Sequence, residues 1–294
     1  MAELYLHLPS PMREDAARGD VNIVNRIAKA VAPSGYDLVF CGEEEALGAD
    51  GLHLLHMREP EAPNTLTLRR AYTYPFWQIE ATNQRWNFDV AKAVFDPSKI
   101  EADQARPFFR RWREKFLGAG PTRREGFIFM PLQGRLGLHR SFQAMSPLAM
   151  IEATLAADPK REIRATLHPR EVYEPADLAK LDALAARFPR FRCIKSEARD
   201  LILSCDYVVT QNSSVALHGF FAKKPAVLFA GIDFHHIAGS VLRDGVATAF
   251  ETLEEPRDYA AYLFWFFKLN CVNGGAPEAE AQILARFRRH GWPV

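Results

Sequence analysis

Short apolar runs alternate with stretches of helical periodicity near the start of the chain. Leu4–Leu8 alternates loosely between apolar and polar residues and predicts a first strand. Apolar residues four apart over Asn22–Val31 predict a helix, and the apolar runs Tyr36–Cys41 and Leu52–His56 predict two more strands. A strand–helix–strand beginning is typical of an α/β layer.

The character of the chain changes between Arg70 and Phe116, where tryptophans and charged residues accumulate. This stretch predicts two helices, Phe76–Trp86 and Pro107–Phe116. The glycines and the proline of Gly118–Pro121 interrupt the pattern, so we expect a domain boundary there.

A second α/β run follows this boundary. Its predicted strands are Gly126–Pro131, Ile163–Leu167, Phe191–Ile194, Tyr207–Thr210 and Ala226–Phe229, and the predicted helices between them are Ser146–Ala157, Pro175–Phe188, Ala198–Cys205 and Val215–Phe221. Strands that alternate with helices predict a mostly parallel sheet with right-handed crossovers. Two terminal helices, Arg257–Asn270 and Pro277–His290, complete the pattern.

These elements predict an α/β protein with two domains. We expect residues 1–120 to form an N-terminal α/β domain with a helical insertion, residues 121–255 to form a Rossmann-like domain, and residues 256–294 to form terminal helices that pack back on the first domain.

Composition and charge narrow the range of possible functions. Lys and Arg number 37 against 36 Asp and Glu, so bulk charge does not favour a nucleic-acid partner. The four cysteines are far apart and form no C-x-x-C pair, which favours a reducing compartment. The N-terminal residues, with an acid at Glu3, are not typical of a signal peptide, and the longest apolar run, Tyr262–Phe267, is too short to cross a bilayer. We therefore expect a cytoplasmic protein.

Three predicted strand ends in the second half carry unusual polar residues, and carboxyl ends of parallel strands open onto one edge of a sheet. The residues are Gln133 after the first strand, His168, Pro169, Arg170 and Glu171 after the second, and Gln211, Asn212, Ser213 and Ser214 before the helix at Val215. The start of that helix favours an anion, and two hydroxyls there can donate to it.

Each residue also has a structural interpretation. Asn212 or Ser213 is an ordinary helix N-cap, and a single His168 at a strand end is commonly a hydrogen-bonded structural residue. Arg170 and Glu171 can pair with each other. The combination favours a ligand site more than any one of its members does.

The order of four segments is more specific. In order, the segments between Gly126 and Ile237 are FIFMPLQ, a Ser-Pro helix start, LHPRE and NSSVALHGFFAKKPAVLFAG. Together they resemble the capsular-polysaccharide glycosyltransferases of Gram-negative bacteria. The likeness is greatest to Kdo transferases, whose His-Pro and Ser-Ser motifs are shared with bacterial sialyltransferases. It implies a GT-B-like fold, two Rossmann-like domains that face a cleft, and inverting, metal-independent transfer from a CMP-linked acidic sugar.

Carried to this chain, the resemblance implies that His168 and Pro169 hold the donor nucleotide and that Ser213 and Ser214 bind its phosphate. Gln133 matches the Gln at the end of the first strand of that domain. The chain departs from the pattern over 134–139, where relatives have acids and this sequence reads GRLGLH. This departure leaves the catalytic base open, and His7, Glu80 and His139 are candidates by position alone.

The sequence predicts no metal site and no cofactor other than the nucleotide-sugar donor. No two Asp residues lie two apart, and the pairs His53/His56 and His235/His236 have no carboxylate or thiol at a useful spacing. We expect a glycosyltransferase of capsule or surface-polysaccharide synthesis. Its partners would be a nucleotide-sugar donor and a glycan or glycolipid acceptor, with no nucleic acid, and peripheral contact with the inner face of the cytoplasmic membrane would suit such an acceptor.

Two alternatives stay open at this point. A catalytically inactive nucleotide- or partner-binding protein of polysaccharide export would explain the missing acids. A nucleotide-sugar epimerase would share the architecture.

Overall fold

The computed structural model describes residues 2–48 and 50–294. The chain forms two compact units, one made of the residues up to Ala93 together with Trp265–Val294, and one made of Val94–Phe264. We call them the first and the second unit.

The helices and strands follow in this order. The first unit begins with β1 (Ala2–Leu8), α1 (Ser10–Ala17), α2 (Asn22–Val31), β2 (Tyr36–Gly42), β3 (Leu52–His56), β4 (Thr65–Arg70), β5 (Phe76–Glu80) and α3 (Asp89–Lys92). The second unit contains α4 (Ala102–Leu117), β6 (Phe127–Leu132), α5 (Pro147–Ala157), β7 (Glu162–Leu167), α6 (Pro175–Arg187), β8 (Phe191–Cys193), α7 (Ala198–Ser204), β9 (Tyr207–Thr210), α8 (Ser214–Phe221), β10 (Ala226–Leu228), β11 (Gly239–Ser240), α9 (Val241–Glu251) and α10 (Tyr259–Phe264). The chain then returns to the first unit with a π-helical turn (Trp265–Leu269), β12 (Val272–Asn273) and α11 (Ala279–Arg289).

Within the described part of the first unit, six strands form one sheet in the order β12-β5-β4-β3-β1-β2. The strands β4, β3, β1 and β2 are parallel, whereas β5 and β12 add an antiparallel edge. Helix α2 packs on this sheet through buried apolar residues that include Ile23 and Ile27. Helix α11 packs beside α2, where Arg26 and Glu280 form an ion pair of 2.7 Å. The predicted return to the first domain is therefore confirmed for the last helix, whereas α10, also expected there, belongs to the second unit.

The second unit holds a wholly parallel sheet whose strands, among the described residues, run in the order β11-β10-β9-β6-β7-β8. All six residues of β6 are buried, as expected for a strand that helices cover on both faces. Its core includes Ile128, Met130, Val209 and Val227. The predicted parallel, Rossmann-like sheet in the second half of the chain is confirmed.

The predicted helix Phe76–Trp86 is wrong. Phe76–Glu80 is strand β5, every residue of which is buried, and only Arg85–Asn87 forms a short 3-10 turn. A strand that is buried on both faces shows no alternation of apolar and polar residues. The sequence of β5 therefore resembled that of a buried helix. Strand β4 was not predicted at all.

The division into units does not coincide with the predicted boundary after residue 120. Helix α4, expected in the first domain, belongs to the second unit, where Phe109 stacks on Phe221 with ring centroids 5.9 Å apart. Aromatic packing against α8 thus places α4 in the second unit, although α4 precedes the predicted boundary in the sequence. The chain passes back from the second unit to the first between Phe264 and Trp265, inside the predicted helix Arg257–Asn270.

None of the helices in residues 2–48 and 50–294 is long and apolar enough to cross a membrane.

Candidate functional site

The strand order of the second sheet reverses between β6 and β9. The chain proceeds from β6 to β7 and β8 on one side, and from β9 to β10 and β11 on the other. Open α/β sheets bind ligands beyond the carboxyl ends of their strands at such a switch point. The Thr210 hydroxyl at the end of β9 donates a buried 3.1 Å hydrogen bond to the carbonyl of Pro131 in β6, which ties the two strand ends together.

A glutamine follows each of the two switch-point strands. The side-chain oxygens of Gln133 and Gln211 are buried, and neither has a hydrogen-bond partner among the described residues. The Gln211 amide nitrogen donates to the Met145 carbonyl over 3.0 Å, which fixes the orientation of that side chain. A buried acceptor without a donor costs roughly 1–3 kcal/mol. These two oxygens are therefore available acceptors for donor groups of a ligand.

Helix α8 begins at the switch point, immediately after Gln211. Ser213 is its N-cap, and the Ser213 Oγ accepts the N–H of Val215 at 3.3 Å. Asn212, the other predicted cap, instead directs its amide toward the Gly231 carbonyl at 3.5 Å. A capping hydroxyl accepts one hydrogen bond and keeps its own proton to donate. Ser213, Ser214 and the helix start therefore form a donor-rich end that suits an anion.

The residues after β7 form a turn at the same edge of the sheet. The N–H of His168 donates to the Tyr173 hydroxyl at 2.7 Å, and that hydroxyl also lies 3.4 Å from the Leu132 carbonyl, the last of β6. Burial raises the pKa of Tyr173, which keeps the hydroxyl protonated. Tyr173 thus joins the ends of β6 and β7, a role that its position inside a predicted loop did not suggest.

His168 and its neighbours are exposed. The His168 Nδ1 accepts the N–H of Arg170 at 3.3 Å, so Nε2 carries the proton of the neutral ring. Strand β6 lies between β7 and β9, which places His168 and Ser213 about two strand spacings, roughly 10 Å, apart. This separation of the two strand ends suits contacts with different parts of a longer ligand.

The carboxylate of Glu171 lies against Gly134. A Cβ added at Gly134 would stand 2.5 Å from the Glu171 Oε2, so the glycine leaves room for this side chain. Arg170 is exposed, and the structure gives no ion pair between it and Glu171 among the described residues. An Arg170–Glu171 ion pair, considered from the sequence, therefore does not stabilise this turn.

The loop after β6 contains a residue that sequence reasoning missed. Arg140 is half-buried, its Nε has no hydrogen-bond partner among the described residues, and its guanidinium lies 4.8 Å from the ring centroid of Phe142. Burial and the nearby Arg135 lower the pKa of Arg140, whereas Glu171 raises it. This loop therefore presents a desolvated cation, and no spacing pattern in the sequence marked it.

The three candidate bases occupy different environments. His7 is fully buried, and its Nε2 lies 3.0 Å from the Nδ1 of the buried His53. Glu80 is 2% exposed and accepts the N–H of Asp89 at 3.0 Å. His139 is exposed in the loop after β6, and its Nε2 lies 2.8 Å from the Gln143 carbonyl. That contact makes Nε2 a donor and leaves Nδ1 with the lone pair that a general base needs.

The first unit has its own pocket of about 580 Å³ at the carboxyl ends of β1, β3 and β4. Its wall includes Arg70, whose guanidinium lies 5.0 Å from the ring centroid of Tyr74, and Tyr74 meets Trp77 edge to face at 5.6 Å. His56 lies beside Trp77, and burial lowers its pKa, as do Arg70 and Arg69. An exposed aromatic ring with an adjacent cation suits an acidic sugar.

No protein-family model matches this chain. No curated protein matches it by sequence. Among solved structures, the chain is similar to a Thermosulfurimonas dismutans KpsC described as a beta Kdo 2,7 transferase, with 13% identity over 89% of this chain and 88% of that one and a TM-score of 0.52.

Two further structures are more distant. A Thermosulfurimonas dismutans KpsC described as a beta Kdo 2,4 transferase has 14% identity over 87% of this chain and 88% of that one, with a TM-score of 0.47. A Methanocaldococcus jannaschii UDP-GlcNAc 2-epimerase has 10% identity over 98% of this chain and all of that one, with a TM-score of 0.35.

The likeness at a TM-score of 0.52 and low identity shows the fold alone. Together with the two Rossmann-like units, it confirms the predicted GT-B-like α/β fold. The motif-level resemblance, and the roles it implies for single residues, stay predictions.

Proposed function

We propose that the protein is a glycosyltransferase of bacterial surface-polysaccharide synthesis that takes its sugar from a nucleotide-linked donor held on the second unit. The single observation that carries this proposal is the switch point between β6 and β9. Two buried glutamine oxygens, which have no hydrogen-bond partner among the described residues, and the donor-rich start of α8 lie at this edge of the sheet. That combination of acceptors and anion donors suits a nucleotide sugar, which offers both hydroxyl groups and phosphate.

Different residues at this edge of the sheet would bind different parts of the donor. Ser213, Ser214 and the first N–H groups of α8 would bind the phosphate, because a helix start carries roughly half a positive charge. His168, about two strand spacings away, would donate from Nε2 to the nucleoside part. Gln133 and Gln211 would accept hydrogen bonds from hydroxyl or amino groups.

The donor sugar is proposed to be acidic, as the family resemblance implies for a CMP-linked donor. Arg140 supports this choice independently, because a half-buried guanidinium with an unsatisfied Nε gains much from a carboxylate. The negative charge of Glu171, which raises the pKa of Arg140, would keep the guanidinium ionised until the sugar binds.

We assign the general base to His139. It is the exposed candidate among the three, its Nδ1 is left with a lone pair, and it lies in the loop where relatives carry acids. The base would remove the proton of the acceptor hydroxyl as that oxygen attacks the anomeric carbon, and the departing phosphate would keep the bonding electrons. The pocket of Arg70 and Tyr74 in the first unit would suit an acidic glycan.

A thermal-shift panel of CMP, UDP, GDP and ADP is the first test. We expect CMP to stabilise the protein most, by about 2.7 kcal/mol at one hundred times its Kd. The second test is incubation of the CMP-linked acidic sugar with and without a capsule-type glycan. Growth of the glycan by one sugar, with release of CMP, supports the transferase.

Other outcomes separate the alternatives. Nucleotide binding without transfer or hydrolysis would favour a non-catalytic member. Release of a free 2-epimerised sugar would favour an epimerase. A protein that binds none of the four nucleotides would contradict the donor site itself.

A further inference from the structure

A histidine and two carboxylates converge in the first unit, whereas the proposed donor-binding residues lie in the second unit. Glu80 ends β5, Asp89 begins α3, and His290 directly follows α11. One ligand atom from each lies within 4.8 Å of the other two. The Nε2 of His290 is 3.8 Å from the Asp89 Oδ2.

The imidazole of His290 is held in one orientation. One nitrogen of its ring makes a hydrogen bond with the Ile79 carbonyl. A ring that donates at one nitrogen can offer the lone pair of the other, here Nε2. The side chain is only 10% exposed, and Nε2 has no hydrogen-bond partner among the described residues.

A buried lone pair that faces carboxylates is unfavourable unless a proton or a metal cation lies between them. Arg289 supplies one charge on the outer side, where its guanidinium lies 3.1 Å from the Asp89 Oδ2. Arg289 makes no hydrogen bond with the His290 Nε2. The arrangement therefore has room for a cation that imidazole nitrogen and carboxylate oxygen share.

We propose that Glu80, Asp89 and His290 bind a divalent transition-metal ion, with zinc as the expected occupant. Zinc takes imidazole nitrogen and carboxylate oxygen at roughly 2.0–2.2 Å, which puts neighbouring ligands about 3.0–3.5 Å apart. The 3.8 Å separation here needs only a small adjustment. A ligating histidine commonly donates its other N–H to a backbone carbonyl, as His290 does to that of Ile79.

The ion would link elements far apart in the chain. Its ligands come from positions 80, 89 and 290, so it would fix the end of α11 to β5 and α3. Glu80 lies at the opposite end of β5 from Trp77, which lines the first-unit pocket. The expected effect is on stability, and the inference does not depend on the proposed transferase activity.

The test uses the full-length protein after treatment with EDTA and removal of the chelator. We expect one Co²⁺ per chain, with visible absorption but no thiolate charge-transfer band, displacement of Co²⁺ by Zn²⁺, and a melting temperature that rises with Zn²⁺. His290→Gln should weaken Zn²⁺ binding at least tenfold and abolish the zinc-dependent rise. His139→Gln, the matched histidine control, should retain both.

Asp89→Asn provides a second variant if His290→Gln does not fold, because Asp89 is 29% exposed and easier to replace. It too should weaken Zn²⁺ binding. No stoichiometric binding of Zn²⁺ or Co²⁺, or unchanged binding in the folded variants, would overturn the proposal. A thiolate band would also overturn it, since it would assign the ion to a cysteine such as the exposed Cys193.

Discussion

The Glu171 carboxylate rests on Gly134, so close that a Cβ on the glycine would stand 2.5 Å from Oε2. Gly134→Ala should displace the exposed glutamate rather than unfold the protein, because the end of a flexible side chain moves easily. If Glu171 takes part in donor binding, Gly134→Ala and Glu171→Ala should weaken CMP binding to a similar degree, and the double variant should be no weaker than Glu171→Ala alone. Isothermal titration calorimetry of the three variants measures this. Additive losses would show that the two residues act separately.

Asp158 predicts a pH dependence of stability. Burial raises its pKa, but hydrogen bonds from the Arg161 N–H, the Tyr207 hydroxyl and the Lys160 N–H outweigh burial and leave the pKa at about 2. Relative to the ordinary 3.8, this depression corresponds to about 2 kcal/mol. The stabilisation is present above about pH 4 and is lost as the pH falls through about 2.

Asp158→Asn should therefore lower the free energy of unfolding by about 2 kcal/mol at pH 6, and by clearly less at pH 3. Urea titrations at the two pH values are the measurement. Glu152→Gln is the matched control, since its ion pair with Arg187 is mostly exposed and should contribute little. An equal loss at both pH values would mean that the ionised carboxylate is not the source of the stabilisation.

The parallel second sheet was predictable because its strands are short apolar runs separated by periodic helices with caps and breakers. Ser146, for example, caps α5 as its position before Pro147 predicts. Strands β4 and β5 were not predictable in this way. Strand β5 pairs antiparallel with β4 and with β12, and β12 is distant from it in sequence. Every residue of β5 is buried, which removed the alternation of apolar and polar residues that marks a strand.

The candidate site was predictable only where a residue type carries local meaning. Ser213 at a strand-to-helix turn predicts a cap, and the structure has one there. Arg140, Tyr173 and the Glu80–Asp89–His290 group depend on contacts between residues distant in sequence or on burial within a loop. Neither can be read from spacing along one chain.

His139→Gln tests the assignment of the base. Glutamine keeps a donor for the Gln143 carbonyl but has no basic nitrogen, so kcat should fall by about 10²–10⁴-fold. CMP affinity should stay unchanged, because the residue is assigned to the acceptor hydroxyl and not to the donor. Leu138→Ala, its exposed neighbour, is the control that should change neither quantity. Full activity of His139→Gln would remove His139 from the mechanism.

Nucleotide binding should not need a metal. The proposed phosphate site consists of hydroxyls and backbone N–H groups, and the metal-ligand group proposed above lies in the other unit. CMP affinity measured with EDTA should equal that measured with added Mg²⁺ or Mn²⁺. A Kd that improves at least tenfold with either ion would contradict a phosphate site of this kind.

The most direct test of the donor site is calorimetry of CMP with Ser214→Ala. Ser213 is the N-cap, and its replacement costs about 1 kcal/mol of stability, whereas Ser214 is the first residue of α8 and can be replaced without loss of the cap. A hydrogen bond to a charged phosphate is worth roughly 1.5–3 kcal/mol, so the Kd should rise at least tenfold. Ser204→Ala on α7, whose hydroxyl donates to the Asp200 carbonyl, should bind like the unaltered protein. An unchanged Kd for folded Ser214→Ala would mean that the serines only begin a helix and that the donor phosphate is bound elsewhere.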